Sequence, residues 1–189
     1  IVKVDLGKDS YNISIGNSFV DAIKSKVEES NSKCILITQK AIYDAFENKF
    51  SELESLGIDI HFIGEGEDAK SIDTAITICD KMSSLGYNRS STIFAVGGGV
   101  VGDVSGFVAS IFMRGINHIQ FPTTLLAMID SAIGGKTGVN LKNGKNLIGR
   151  IHQPSEVIID TSFLSTLPKR ELNASLAEAI KYGFIYDRD

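Results

Sequence analysis

The sequence predicts an α/β fold: an open, mostly parallel sheet with helices on both faces and an antiparallel hairpin at its N-terminal end. Three observations carry this. Short β-branched runs alternate with segments of helical spacing along most of the chain. Glycines follow several of these segments, at 57, 86 and 97–99. The composition is that of a folded globular domain, with 189 residues, 43% hydrophobic, 22% charged, 18 glycines and 3 prolines.

Each element has its own signal. Residues 2–6 and 11–15 alternate polar and apolar around Lys8, Asp9 and Ser10, the pattern of a hairpin. Ser18 reads as the N-cap of a helix to about Ser30. Strands are expected at 34–38, 58–63, 92–96, 118–121 and 156–160. Helices are expected at 41–56, 71–85, 101–113, 124–133 and 171–185. Residues 134–146 hold four glycines, three lysines and three asparagines and read as a long functional loop. The sheet is therefore of the nucleotide-binding, Rossmann-like type.

Composition also excludes. Nineteen basic against 23 acidic residues give a net charge of −4, against a nucleic-acid or anionic-membrane binder. Residues 91–113 carry a single charge, Asp103, but five glycines interrupt the run, so a buried strand and a packed helix explain it better than a membrane span. Cys34 and Cys79 make no disulfide framework and read as buried free thiols of a reducing cytoplasm. The chain opens on Ile and stops just after an apolar helix, which reads as a piece of a longer enzyme.

Residues 97–103, Gly-Gly-Gly-Val-Val-Gly-Asp, follow a buried strand and open a helix, where glycines allow a sharp turn and close approach and free N–H groups favour a phosphate. Tight strand–helix packing is the alternative reason for these glycines. The motif follows about the third strand of the alternating series, and no acid ends a strand about 20 residues later as the dinucleotide fingerprint asks. Gly135-Lys136-Thr137 is not a phosphate loop of the G-x-x-x-x-G-K-[ST] type, because that pattern needs glycine where Asp130 stands. Polar groups gather at the expected carboxyl ends of strands: Glu67, Lys70, Asp103, Thr123, Thr124, Asp130, Lys136, Lys145 and Asn146. Ligands of open α/β sheets bind at that edge, and the lysines suit an anion carrying phosphate and carboxylate. Glu178 and Lys181 share a helix face, where a surface ion pair or one arm of a metal site are both open. His61, His118 and His152 are scattered, with no ligand spacing.

Together, residues 97–103, 121–127, 130–138, Lys145-Asn146, 152–154, 167–171 and 176–183 resemble the 3-dehydroquinate synthases, in order along essentially the whole chain. The resemblance implies an NAD-binding α/β domain at 1–165 and, at 166–189, the first helix of a helical metal-binding domain. It implies conversion of 3-deoxy-D-arabino-heptulosonate 7-phosphate to 3-dehydroquinate and phosphate, with transient oxidation by NAD, phosphate elimination, return of the hydride and intramolecular aldol closure. Zinc or cobalt would act as Lewis acid. Carried over by position, Glu178 would be a metal ligand, while Asp130 and Lys181 would hold substrate hydroxyls. Lys136 and Asn146 would bind the phosphate, joined by Arg114 from a neighbouring subunit of a homodimer, and Lys145 would lie between cofactor and substrate. Gly98, Gly99, Val100 and Asp103 would cradle the pyrophosphate. Thr123, Thr124, Leu126, Asp130, Ser131, Thr166, Leu167 and Glu171 would line the NAD site, with Glu67 and Lys70 near its adenosine half. Thr38-Gln39-Lys40 departs from the Asp or Asn that often holds the adenosine ribose. A sister sugar-phosphate cyclase and a non-catalytic nucleotide-binding module are the competing readings. Two histidines beyond residue 189 would favour an enzyme.

Overall fold

The computed structural model describes residues 1–16, 18–30 and 32–185. Seven strands form one sheet in the order β1-β2-β9-β6-β5-β3-β4. These are β1 (Val2–Val4), β2 (Tyr11–Gly16), β3 (Cys34–Gln39), β4 (Asp59–Ile63), β5 (Thr92–Gly97), β6 (Asn117–Pro122) and β9 (Glu156–Asp160). Only β1 runs antiparallel, paired with β2 as the hairpin pattern predicts. Every other pairing in this sheet is parallel.

Both faces are covered, which is why the central strands read as unbroken apolar runs rather than alternating ones. Phe94 and Val96 of β5 pack with Phe19, Phe50, Phe121 and Phe163 on one face. Ile93 and Ala95 point the other way, onto Ile78, Val104 and Val108. The helices are α1 (Phe19–Glu29), α2 (Lys40–Ala45), α3 (Glu47–Glu54), α4 (Ile72–Ser84), α5 (Gly99–Ile111) and α6 (Lys169–Ile185). The run at 91–113 is thus a buried strand and a packed helix, and among the described residues no helix is long and apolar enough to cross a membrane.

Several expectations need correction. The helix expected at 41–56 is two, broken at Phe46 (φ −130°, ψ 31°), whose ring turns in against Phe163. Tertiary packing of that ring overrides a continuous helical spacing. Ser18 makes no side-chain cap; its hydroxyl bonds Asp21, and Asp160 Oδ2 instead accepts the Phe19 N–H at 3.3 Å. The segment at 134–146 is not a loop. Lys136–Leu141 (β7) and Gly144–Ile151 (β8) form a separate two-stranded hairpin, with a register irregularity between Val139 and Leu141. Its glycines, which suggested loop, are needed because the strands lie too close for side chains: a Cβ on Gly149 would stand 2.2 Å from the Thr137 carbonyl oxygen. The helix at 124–133 contains a wide π-turn, Ala127–Ser131, in which the Ala132 N–H reaches the Ala127 carbonyl at 3.1 Å. Of the two free thiols, Cys34 is buried but Cys79 only half-buried.

Candidate active site

The strand order reverses between β3 and β5, and the glycine-rich turn leaves the carboxyl end of β5 at that point. Crevices at such reversals are where open α/β sheets take ligands. The four glycines divide by role. A Cβ on Gly97 would stand 2.3 Å from the Val101 side chain, and one on Gly102 would stand 2.9 Å from Gln120 Oε1, so both serve close packing of α5 on the sheet. Gly98 and Gly99 face Thr124 and Ser131 instead, at 3.1 and 3.2 Å. None of the four has positive φ, so closeness rather than a sharp turn is what requires glycine here. No side chain caps the start of α5, leaving its first N–H groups to a ligand. Thr123 is tied in through its N–H to the Gly97 carbonyl (3.0 Å), and Thr124 Oγ1 accepts the Ala127 N–H at 3.2 Å, opening the π-turn.

A cavity of about 540 Å³ adjoins this turn. It brings together Asp103, Asp130, Ser131, Lys136 and Asn146 from the sequence-predicted set. It adds Thr137, Leu147, Gly149, Arg150 and Ile151, which the reading of 134–146 as a loop concealed. Lys136-Thr137-Gly138-Val139 shows no polar–apolar alternation, so local sequence carries no strand signal that would have exposed them. Lys136, Asn146 and Arg150 offer donors to an anion, and Asp130 offers an acceptor to hydroxyls. Asp103 is committed elsewhere: it pairs with Lys70, which is only 5% exposed. Burial pushes the Asp103 carboxyl up from its ordinary range, against the pull of Lys70.

The hairpin is fastened to the rest of the site. The Asn140 N–H donates to the Lys70 carbonyl at 2.8 Å, and Asn140 Nδ2 donates to Glu67 Oε1 at 2.8 Å. The N–H of Asn146, in left-handed conformation at φ 56°, donates to Asn140 Oδ1 at 2.8 Å. Lys145 Nζ lies 3.9 Å from Glu67 Oε1. Glu67 and Lys70 therefore brace the hairpin and Asp103. Gln39 Nε2 is taken by the Gly64 carbonyl at 2.9 Å, and the buried Thr38 Oγ1 has no partner among the described residues.

The remaining predicted residues lie outside the cavity lining. Thr166, Leu167 and Glu171 stand at the turn into α6, and Leu126 is exposed on the helix before the π-turn. Arg114 is exposed beyond the far end of α5, where it and Met113 both take left-handed backbone, φ 69° and 49°. Glu178 and Lys181 form the ion pair their spacing allows. Among the described residues no group of three potential metal ligands is present, so Glu178 alone does not make a metal centre.

The family profile described as 3-dehydroquinate synthase N-terminal matches residues 60–174. The chain belongs to the 3-dehydroquinate synthase family. It is 45% identical over 187 residues to the 3-dehydroquinate synthase of Dictyoglomus thermophilum, covering 99% of this chain and 52% of that protein. It is 43% identical over 192 residues to that of a Picosynechococcus species, covering 99% of this chain and 53% of the relative. This member of the family thus spans about half the length of the curated relatives it matches. Among solved structures, 2-deoxy-scyllo-inosose synthase complexed with carbaglucose-6-phosphate, NAD+ and Co2+ superposes with a TM-score of 0.84 at 31% identity, over 95% of this chain and 50% of that one. The 2-epi-5-epi-valiolone synthase of Streptomyces hygroscopicus, with NAD+ and Zn2+ bound, gives 0.84 at 31% identity over 98% and 52%. A probable glycerol dehydrogenase of Sinorhizobium meliloti, at 18% identity and a TM-score of 0.70, shares the fold.

Proposed function

We propose that these 189 residues form the dinucleotide- and phosphate-binding part of a 3-dehydroquinate synthase acting on 3-deoxy-D-arabino-heptulosonate 7-phosphate, with residues 166–189 opening a second, helical domain. Of that segment, residues 186–189 lie outside the described set. The observation that carries the reading is the cavity holding Asp130, Lys136 and Asn146 beside the Gly98-Gly99 turn at the reversal of strand order. The uncapped start of α5, with backbone free of side chains at Gly98 and Gly99, fits a dinucleotide pyrophosphate. When bound, NAD supplies a reversible hydride acceptor.

On this reading Lys136 and Asn146 bind the substrate phosphate, Asp130 and Lys181 hold hydroxyls, and Lys145 sits between the two ligands. Thr123, Thr124, Leu126, Ser131, Thr166, Leu167 and Glu171 line the cofactor, with Val100 and Asp103 at the pyrophosphate. Arg114, outside its own cavity, serves the phosphate of a second subunit in a homodimer. Glu178 is one ligand to a divalent metal, and the others come from outside these residues. The described residues do not by themselves complete that centre.

The test is phosphate release from the heptulosonate phosphate by the full-length enzyme, with and without NAD and zinc. Release that needs both is expected, and the 189-residue chain alone should give none. The 31% identity to two other cyclases favours one second reading, a different sugar phosphate as substrate. No release from the heptulosonate phosphate, with turnover of another member of a hexose and heptulose phosphate panel, would establish that reading instead.

A further inference from the structure

Tyr182 follows Glu178 and Lys181 in α6 and has no role in the function proposed above. Its hydroxyl donates to Asp130 Oδ1 at 2.8 Å. Asp130 lies in the π-turn Ala127–Ser131 and lines the cavity. Among the described residues its carboxylate has no other hydrogen-bond partner, so Oδ2 remains free for a ligand. A carboxylate torsion is broad, and a free Asp samples many orientations. A donor fixed on one oxygen narrows that range.

The same bond is what joins α6 to the site. Ser175 is the buried residue of α6, and its hydroxyl turns back to the helix's own Glu171 carbonyl. Glu178 and Lys181 pair with each other, with the Lys181 ammonium 4.9 Å over the Tyr182 ring. Among the described residues, Tyr182 to Asp130 is the one side-chain hydrogen bond from α6 to any other element. Leu176, Ile180 and Phe184 of the same helix stay exposed, so apolar packing does not take over this role.

We infer that Tyr182 is a positioning residue: its hydroxyl holds Asp130 Oδ1 so that Oδ2 is presented to a substrate hydroxyl, and it couples the helix bearing Glu178 and Lys181 to the cavity. The inference rests on the function proposed above. A misplaced reacting group costs turnover far more than binding, and an exposed hydrogen bond contributes little to stability.

Tyr182→Phe in the full-length enzyme keeps the ring and removes the donor. The expected result is a kcat about tenfold lower, with KM for the heptulosonate phosphate and the NAD dissociation constant within about twofold. A kcat within about twofold of the parent enzyme overturns the inference. A second readout does not depend on turnover or on the Phe variant folding. The bond to Asp130 raises the ionisation of the Tyr182 phenol. Carbon-13 NMR of labelled tyrosine should show that ionisation moving to lower pH in Asp130→Asn, and an unmoved titration overturns the inference. If the parent enzyme leaves the heptulosonate phosphate untouched, the substrate assignment falls, and the titration still decides whether Tyr182 holds the carboxylate.

Discussion

At His118 the fold encloses an imidazole that is 1% exposed, stacked on His152 at 5.2 Å, with neither ring nitrogen hydrogen-bonded among the described residues. Burial, and secondarily the charge of His152, pushes its pKa down from 6.5 to about 3. The unfolded chain therefore takes up a proton that the native state refuses. Stability is untouched above about pH 6.5 and falls as pH drops below it, by about 1.4 kcal/mol per pH unit for this group until its native pKa is approached. His118→Phe fills similar space with no proton to take up, so its thermal melting should lose less with acid between about pH 6 and 4. Parallel curves for the two proteins would contradict this. Lys136 is the residue-scale probe of the cavity. Lys136→Ala should weaken a phosphate-bearing ligand by about 10- to 100-fold, the worth of one charge-assisted contact, and leave NAD binding unchanged. Isothermal titration of each ligand separates the two.

The hairpin β7–β8 is the element on which the cavity depends, since Lys136, Asn146 and Arg150 all ride on it. Gly138 and Gly149 face each other across it, and the atoms nearest a Cβ there are backbone, which cannot give way. Gly149→Ala should cost about 2 kcal/mol, lowering Tm by about 4–8 °C, and should weaken phosphate binding along with it. Gly183 is the contrast: it has negative φ in α6 with nothing within 4 Å of a Cβ. Gly183→Ala should be neutral or stabilising by up to about 1 kcal/mol, since it only removes unfolded-state freedom. Differential scanning calorimetry of both variants checks the pair, and equal effects would mean that the close approach of the two strands is not what the glycines serve.

The main sheet is buried on both faces, with the candidate site at the carboxyl end of β5, and a ligand there should act on all of it. If the glycine turn seats NAD, binding stabilises the native state by about 2.7 kcal/mol at a hundredfold excess over the dissociation constant. A rise in Tm that grows with NAD concentration is expected, and a flat response would remove the dinucleotide from this site. The α6 end behaves differently. Phe184 is 86% exposed and Leu176, Ile180 and Ile185 are also open, so this helix draws little from the core that holds β5 and α5.

The sequence alone determined the order of the strands and helices of the main sheet, because burial on both faces leaves unbroken apolar runs such as residues 35–37, 93–96 and 157–159. It also marked Asp130, Lys136 and Asn146, which one cavity brings together, but not where they stand: Asp130 lies in the π-turn, Lys136 opens β7 and Asn146 lies within β8, none of them at the carboxyl end of a strand. It did not disclose the hairpin at 136–151. Glycine carries opposite meanings as a turn residue and as a place where two backbones touch, and only the partner strand tells which. Nor did it disclose the break at Phe46, the π-turn around Asp130, or the reach of Tyr182 across 52 residues to that carboxylate. Local spacing encodes which face a side chain takes. What that side chain meets there is decided by the packing of elements distant in sequence, and only the tertiary structure holds it.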